Sequence, residues 1–190
     1  MLKKKTSQTE KYKVILSKNA IGEGKKELTY FAKDNFWTKS FPTTASSKFL
    51  DNFCPSQNAF VVGRLEKKKI LLGKTVLDEF ACGGTGLHAA TGPIFNPYNS
   101  ACIVGGSSSV GFKPSYGLLS RSGVIPMASS LDTVGILAQK ISEVKSVFAI
   151  ISHKDPHDLL TEANRNKKIS RRKNKIAVVA GIEKYLPTDL

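Results

Sequence analysis

Lysine and serine side chains carry the patterns of this sequence that could support chemistry. Lys33 ends a short apolar run and precedes Asp34 and Asn35. A lysine held among apolar neighbours can have a lowered pKa and act as a base toward a hydroxyl nucleophile. Residues 105–109, Gly-Gly-Ser-Ser-Ser, read as a flexible turn whose hydroxyls could bind an anion or relay a proton. A surface lysine paired with Asp34 and an ordinary loop are the commoner explanations of these patterns, so neither pattern defines a site alone.

The other reactive residue types show no recognised catalytic or metal-binding spacing. No pair of cysteines has a Cys-x-x-Cys spacing, and no histidines have a metal-ligand spacing. These residues are Cys54, Cys82, Cys102, His88, His153 and His157. We therefore expect three reduced thiols and no metal. A Gly-x-Ser-x-Gly turn is absent from the sequence, and composition alone leaves a Ser-His-Asp triad open.

The composition indicates one globular domain with a basic surface. The chain has 190 residues, 41% of them apolar, and no apolar run approaches the ~18 residues of a membrane span. Lysines and then polar residues follow the first two positions, so we expect no secretory signal, no membrane contact and a cytoplasmic location. The net charge of +14 is typical of nucleic-acid partners, but lysine-rich coding bias gives the same balance. A basic tRNA-binding protein stays open as an interpretation.

The spacing of apolar residues predicts an α/β fold. We predict strands at 29–33 and 69–72, the second ending at Gly73, and a helix over 59–66. A further helix is expected within 43–53, beginning at its first threonines. The strand–helix–strand order is the βαβ rhythm of a parallel sheet covered by helices.

The second half of the chain changes character. Glycine, serine and proline dominate residues 83–118, and glycine lets a backbone approach a ligand closely. A helical pattern returns over 131–151. Residues 164–175 are basic and predict a surface loop or linker, and 176–182 predict one more buried strand.

Eight motifs match those of one enzyme family in order and in spacing. They are Phe31–Asn35, Thr43–Lys48, Leu71–Thr75, Leu77–Ala81, Asn96–Tyr98 followed by Gly105–Ser108, Val110–Gly117, Ser120–Gly123 and Ala128–Asp132. Over roughly residues 29–160 the chain thereby resembles the amidase signature family. The resemblance implies a fragment of the amidase-signature fold, an α/β fold with a mixed sheet flanked by helices. The Leu77–Ala81 motif is more similar to the A subunits of glutamyl-tRNA(Gln) amidotransferases than to general amidases.

The resemblance implies a Ser–Ser–Lys triad that hydrolyses an amide. Lys33 matches the family's base, and Ser107 matches the serine that relays a proton from the nucleophile to that base. Ala81, Cys82, Gly83 and Ser108 match the wall of the substrate pocket. In an A subunit the nucleophilic serine attacks the side-chain amide of glutamine, an acyl-enzyme forms and ammonia leaves.

The resemblance also implies partners. An A subunit of this kind passes ammonia to a B subunit, which activates glutamyl-tRNA with ATP and magnesium, and it assembles with B and C subunits. We therefore expect no cofactor in this chain itself, glutamine as its substrate and tRNA as an indirect partner.

One departure from the family pattern is decisive for activity. Ser109 passes directly to Val110, whereas the family has a long stretch between these flanks that ends in a glycine-rich motif with the nucleophilic serine. No Asp-x-Gly-Gly-Ser occurs in the chain. Ser115, Ser120 and Ser122 follow the junction in motifs whose family role is structural, and no glycine amides surround them as an oxyanion hole.

These observations predict an internally deleted and truncated amidase without catalytic activity. We expect a poorly matched N-terminal segment over 1–28, a partial amidase domain over 29–160 with the deletion at 109/110, and a basic linker and terminal strand over 161–190. Two alternatives stay open: a non-catalytic remnant that binds partner subunits, and the basic tRNA-binding protein.

Overall fold

The computed structural model describes residues 15–18, 29–96, 99, 101–104 and 110–161. Five strands and two helices lie in these ranges. They are β1 (Ile15–Lys18), β2 (Thr29–Lys33), α1 (Phe60–Glu66), β3 (Ile70–Thr75), β4 (Val110–Phe112), β5 (Ile136–Ala138) and α2 (Ile141–Ile151). The linker predicted at 164–175 and the strand predicted at 176–182 lie outside the described residues.

A three-stranded mixed sheet, in the order β1-β3-β2, forms the first part of the fold. β2 and β3 run parallel and are joined through α1, so the predicted βαβ unit is confirmed. The buried face of α1, Val61, Val62 and Leu65, packs in one core with Leu71 of β3. Burying this apolar face stabilises a helix that is too short to form alone.

β1 lies antiparallel to β3, within the segment 1–28 expected to match the family poorly. β3, the middle strand of this sheet, continues past Gly73 to Thr75, two residues beyond its predicted end. β3 lies between β1 and β2, and its residues from Leu71 to Lys74 are buried.

A two-stranded antiparallel sheet of β4 and β5, with α2 against it, forms the second part. The helix predicted over 131–151 is wrong in its first ten residues. Val134 and Ile136 are buried and Leu137 is exposed, which is the alternation of a strand. The helix begins after Lys140, whose backbone N–H donates to the Glu143 carboxylate at 3.2 Å as an N-terminal cap.

The helix predicted within 43–53 is also wrong, because only a single 3₁₀ turn, Lys48–Leu50, forms there. Ala45 and Ser46 have positive φ angles of 50° and 53°, which no right-handed helix contains. Phe49, which would lie on the apolar face of a helix over these residues, is 87% exposed. Within the described ranges no helix is long and apolar enough to cross a membrane.

Candidate active site

Lys33, the predicted base, is the last residue of β2, and its side chain is exposed. Among the described residues, no atom accepts a hydrogen bond from its ammonium group. Partial desolvation lowers the pKa of Lys33, and the negative charges of Asp132 and Asp78 oppose this lowering. The end of β2 therefore presents an ammonium that bonds to no described residue and that feels the charges of two carboxylates, Asp132 and Asp78.

Ser107 and Ser108 lie outside the described residues, so the expected contact between Lys33 and Ser107 stays a prediction. Ala81, Cys82 and Gly83 follow Asp78, whose charge acts on Lys33. Ala81 is half-buried, and Cys82 and Gly83 are exposed. We call residues Leu77–Gly83 the site wall; the role of its residues against a substrate stays a prediction.

The site wall has a strained backbone. Phe80 and Ala81 have φ angles of 49° and 61°, left-handed values that cost free energy in residues other than glycine, of order 1 kcal/mol each. Contacts from an earlier turn hold them: the Phe80 N–H donates to the Ala45 carbonyl at 3.0 Å, and the Leu77 N–H donates to Ser46 Oγ at 3.0 Å.

Asp78 fixes the loop that follows the wall. Its buried carboxylate accepts hydrogen bonds from the backbone N–H groups of His88, at 2.8 Å, and Gly86, at 2.9 Å. Burial alone would raise the pKa of Asp78, but these backbone donors hold the pKa below its ordinary value. A Cβ at Gly83 would lie 2.7 Å from Asp78 Oδ2, so only glycine fits this part of the wall.

Sequence reasoning missed a buried ion pair beside Lys33. The Lys74 ammonium lies 3.4 Å from Asp34 Oδ1, and both side chains are almost fully buried. The same ammonium donates to the Phe36 carbonyl at 2.6 Å, Thr43 Oγ1 at 3.0 Å and Thr38 Oγ1 at 3.3 Å. Burial lowers the pKa of Lys74 to about 8, with Asp34 opposing the shift.

Asp34 also fixes the Ala45–Ser46 turn, which supports the site wall. Its Oδ2 accepts hydrogen bonds from the backbone N–H groups of Thr44, at 3.1 Å, and Ser46, at 3.2 Å, and from the Thr44 hydroxyl. Its backbone carbonyl accepts from the Ala45 N–H at 3.2 Å. The left-handed Ala45–Ser46 pair is therefore fixed by one carboxylate from the end of β2.

One of the serines after the junction, Ser120, has a structural hydrogen-bonding role. Ser120 is buried, and its hydroxyl donates to the carboxylate of buried Asp155. The Ser122 N–H donates to Ser120 Oγ at 3.1 Å. The Asp155 carboxylate also accepts from the backbone N–H of His157, not from its imidazole. Ser120 and Asp155 therefore serve to hold the 155–161 segment against the rest of the chain.

A cavity of about 270 Å³ opens beside Asp132. It is lined by Arg121, Ser122, Val124, Pro126, Ser129, Asp132, His157 and Asp158. Arg121 stacks on the Tyr116 ring, 4.7 Å from its centroid, and its Nε lies 3.6 Å from Asp158 Oδ2, so its charge is engaged. In the part of the chain that the structure describes, no three acidic, histidine or cysteine side chains are grouped as a metal site would require.

The fold matches solved amidase structures. The A subunit of the Thermotoga maritima glutamyl-tRNA(Gln) amidotransferase aligns with a TM-score of 0.72 and 24% identity, covering 84% of this chain and 44% of that chain. The native peptide amidase of Stenotrophomonas maltophilia aligns with a TM-score of 0.61 and 24% identity, covering 74% and 36%. The chain thus has the α/β amidase-signature fold, as a fragment, which confirms the predicted fold class.

The Amidase family model matches residues 28–109 and 110–189. The chain belongs to the amidase family. The A subunit of the Mycoplasma genitalium glutamyl-tRNA(Gln) amidotransferase is 37% identical over 168 residues, covering 71% of this chain and 35% of the relative. The corresponding A subunit of Lawsonia intracellularis is 32% identical over 188 residues, covering 80% and 39%. The chain spans about a third of the length of the curated relatives it matches.

The family match is divided where the sequence departs from the family pattern, and the alignments with the relatives also contain unmatched residues. The two family segments meet between Ser109 and Val110. The Mycoplasma genitalium alignment runs over 168 residues, but it uses only 71% of this 190-residue chain, or about 135 residues. About 33 residues of the relative therefore have no counterpart in this chain. The Lawsonia intracellularis alignment runs over 188 residues and uses 80% of this chain, or about 152 residues. About 36 residues of that relative therefore have no counterpart in this chain.

Proposed function

We propose that this chain derives from the glutamine-hydrolysing A subunit of a glutamyl-tRNA(Gln) amidotransferase. That reaction would release ammonia from glutamine for the conversion of glutamyl-tRNA(Gln) to glutaminyl-tRNA(Gln). The observation that carries the proposal is Lys33, exposed at the end of β2 and bonded to no described residue, on the Lys-Asp-Asn motif of the family. The relatives with the name of this subunit support the choice among amidases.

We also propose that this chain does not hydrolyse glutamine. Support comes from the family match that breaks between Ser109 and Val110, and from the residues of the relatives that lack a counterpart. The family's nucleophilic serine and the backbone amides of its oxyanion hole belong to the missing motif. Loss of the nucleophile in comparable triads lowers turnover about a millionfold, and the oxyanion hole that gives residual catalysis would be lost with it.

The expected partners follow from the same proposal. The chain would need no cofactor of its own, since ATP and magnesium would act in a B subunit. B and C subunits would be its protein partners, and tRNA would be met through the assembly. The cytoplasm is the compartment in which this assembly would act.

The test measures ammonia release from glutamine by purified protein, with and without B and C subunits of a related amidotransferase. We expect the chain and its Lys33→Ala variant to be equally inactive. A repaired variant is the full-length A subunit of the Mycoplasma genitalium relative in which residues 29–109 and 110–160 of this chain replace their matched segments. We expect measurable hydrolysis from this variant, abolished again by Lys33→Ala.

Two outcomes would count against the proposal. Activity of the unrepaired chain well above its Lys33→Ala variant would mean that another serine has been recruited, with Ser109 and Ser115 the first to mutate. A repaired, folded variant that stays inactive with both partner subunits would argue against the assignment to this subunit.

Exposed apolar side chains favour a second candidate, a remnant that docks on partner subunits. Leu137 of β5 is 70% exposed, Ile141 at the start of α2 is 62% exposed, and Leu131 is 76% exposed. Exposed apolar side chains mark a protein-interaction surface where they form one contiguous patch. We expect the chain to be retained on immobilised B and C subunits. A Leu137→Asp/Ile141→Asp variant that stays folded should lose this retention.

A further inference from the structure

We propose that the buried Asp34–Lys74 ion pair is a positioning element that sets the site wall, Leu77–Gly83, through the Ala45–Ser46 turn. Neither residue is expected to touch a substrate. Calling the controlled segment a site wall rests on the proposed function, but the linkage between the pair and that segment is a property of this chain's own contacts.

The first step is that the surroundings of Lys74 fit an ammonium group. The Thr38 hydroxyl donates to the Phe41 carbonyl at 3.0 Å, and the Thr43 hydroxyl donates to the Phe36 carbonyl at 3.1 Å. Both hydroxyls have therefore used their hydrogen, and they can only accept from Lys74. With the Phe36 carbonyl and Asp34, Lys74 meets four acceptors and no donor among the described residues, the arrangement that a three-hydrogen cation satisfies.

The second step is that the two carboxylate oxygens of Asp34 have separate partners. Oδ1 faces Lys74, and Oδ2 accepts all three hydrogen bonds from the turn, two from Thr44 and one from Ser46. A buried carboxylate without its countercharge is costly and would draw in water, which weakens its bonds to the turn.

The third step joins the turn to the wall. Ala45 and Ser46 supply the acceptors for the N–H groups of Phe80 and Leu77, and the Ser46 carbonyl accepts from the Ala90 N–H at 2.9 Å. These hydrogen bonds hold the strained Phe80–Ala81 segment from the side of the turn. Asp34 fixes the turn that supplies these acceptors. A change at Asp34 is therefore transmitted to the site wall through the turn.

Amide hydrogen exchange of the intact chain, followed by mass spectrometry, tests the linkage without any catalytic activity. In Asp34→Asn an amide nitrogen must face either the Lys74 ammonium or the N–H donors of the turn. We expect exchange in the 44–46 and 77–90 segments to be roughly tenfold faster than in the unchanged chain, with α1 protected as before. Lys74→Met should loosen the same two segments.

The matched control is Val144→Ala, which removes buried side-chain volume in α2 away from the network. A merely structural loss of stability would raise exchange in all segments together, as this control should. If the Asp34 variant does not fold, Thr44→Val, which removes a single donor to Oδ2, gives the same test in milder form. Faster exchange in 44–46 with unchanged 77–90, or the control's pattern in every variant, would overturn the linkage. Because the readout is amide exchange and not glutaminase activity, this outcome is independent of the proposed function.

Discussion

Lys74 should make the stability of this chain rise with pH in the alkaline range. Its pKa is about 8 in the folded state, against 10.5 for an ordinary lysine. Between these values the unfolded chain binds more protons than the folded chain, and stability rises with pH wherever that holds. At 1.36 kcal/mol for each pKa unit, the full window corresponds to roughly 3 kcal/mol.

That figure is an upper bound, because the four acceptors around Lys74 leave the lone pair of a neutral amine without a donor. The measurement compares urea unfolding of the chain and of Lys74→Met at pH 7.5 and about pH 9.5. The difference in unfolding free energy between the two proteins should shift in favour of the unchanged chain at the higher pH, by about 1–2 kcal/mol.

One other group is expected to contribute in the opposite sense. Burial, together with the charge of Glu66, raises the pKa of Tyr30. The unfolding free energy therefore falls above pH ~10, because the tyrosine ionises in the unfolded chain and stays protonated in the folded one. Both proteins contain Tyr30, so the comparison cancels its effect. A difference that stays constant from pH 7.5 to 9.5 would refute the reasoning, since the acceptors would then fully offset burial.

Three further predictions concern other parts of the fold. Ser120→Ala should lower the unfolding free energy by about 1–3 kcal/mol, because Asp155 keeps its burial and loses a donor; a thermal melt within error of the unchanged chain would contradict this. Cys82 should react with a thiol reagent in the native state, as Cys54 should, because both are exposed; labelling of Cys82 only after denaturation would contradict its exposed position. The chain should melt below about 60 °C, since exposed apolar side chains such as Leu137 and the open edges of the β4–β5 sheet give little stability, and a sharp melt above that temperature would show the expectation wrong.

The elements that sequence reasoning predicted well are those whose pattern is set by one local period. α1 has its apolar residues on one helical face, and β2 and β3 are short runs of strand-forming residues bounded by turn residues. Their order alone indicates a parallel βαβ unit, which the structure confirms. The apolar positions of 131–151 match a helix at one end and a strand at the other, and the period changes near Lys140.

The errors arise where a distant side chain decides the backbone. Thr44 and Ser46 have ordinary helix-start character, yet the carboxylate of Asp34, ten and twelve positions earlier, captures their N–H groups and bends the chain into left-handed conformations. Lys74 gave no local signal either, because it is one lysine among many in a basic chain. Only the meeting of β3 with the end of β2 makes it the counterion of Asp34.

The four acceptors around Lys74 also determine which residues can drift in evolution. A neutral residue at position 74 would strand Asp34, Thr38 and Thr43 together, so replacement requires coordinated changes at several positions. Lys33 is exposed and bonds to no described residue, so the described contacts restrain it less than they restrain Lys74. In a copy released from catalytic selection, Lys33 would therefore be free to change long before Lys74, and the older history of the family would persist in its folding residues.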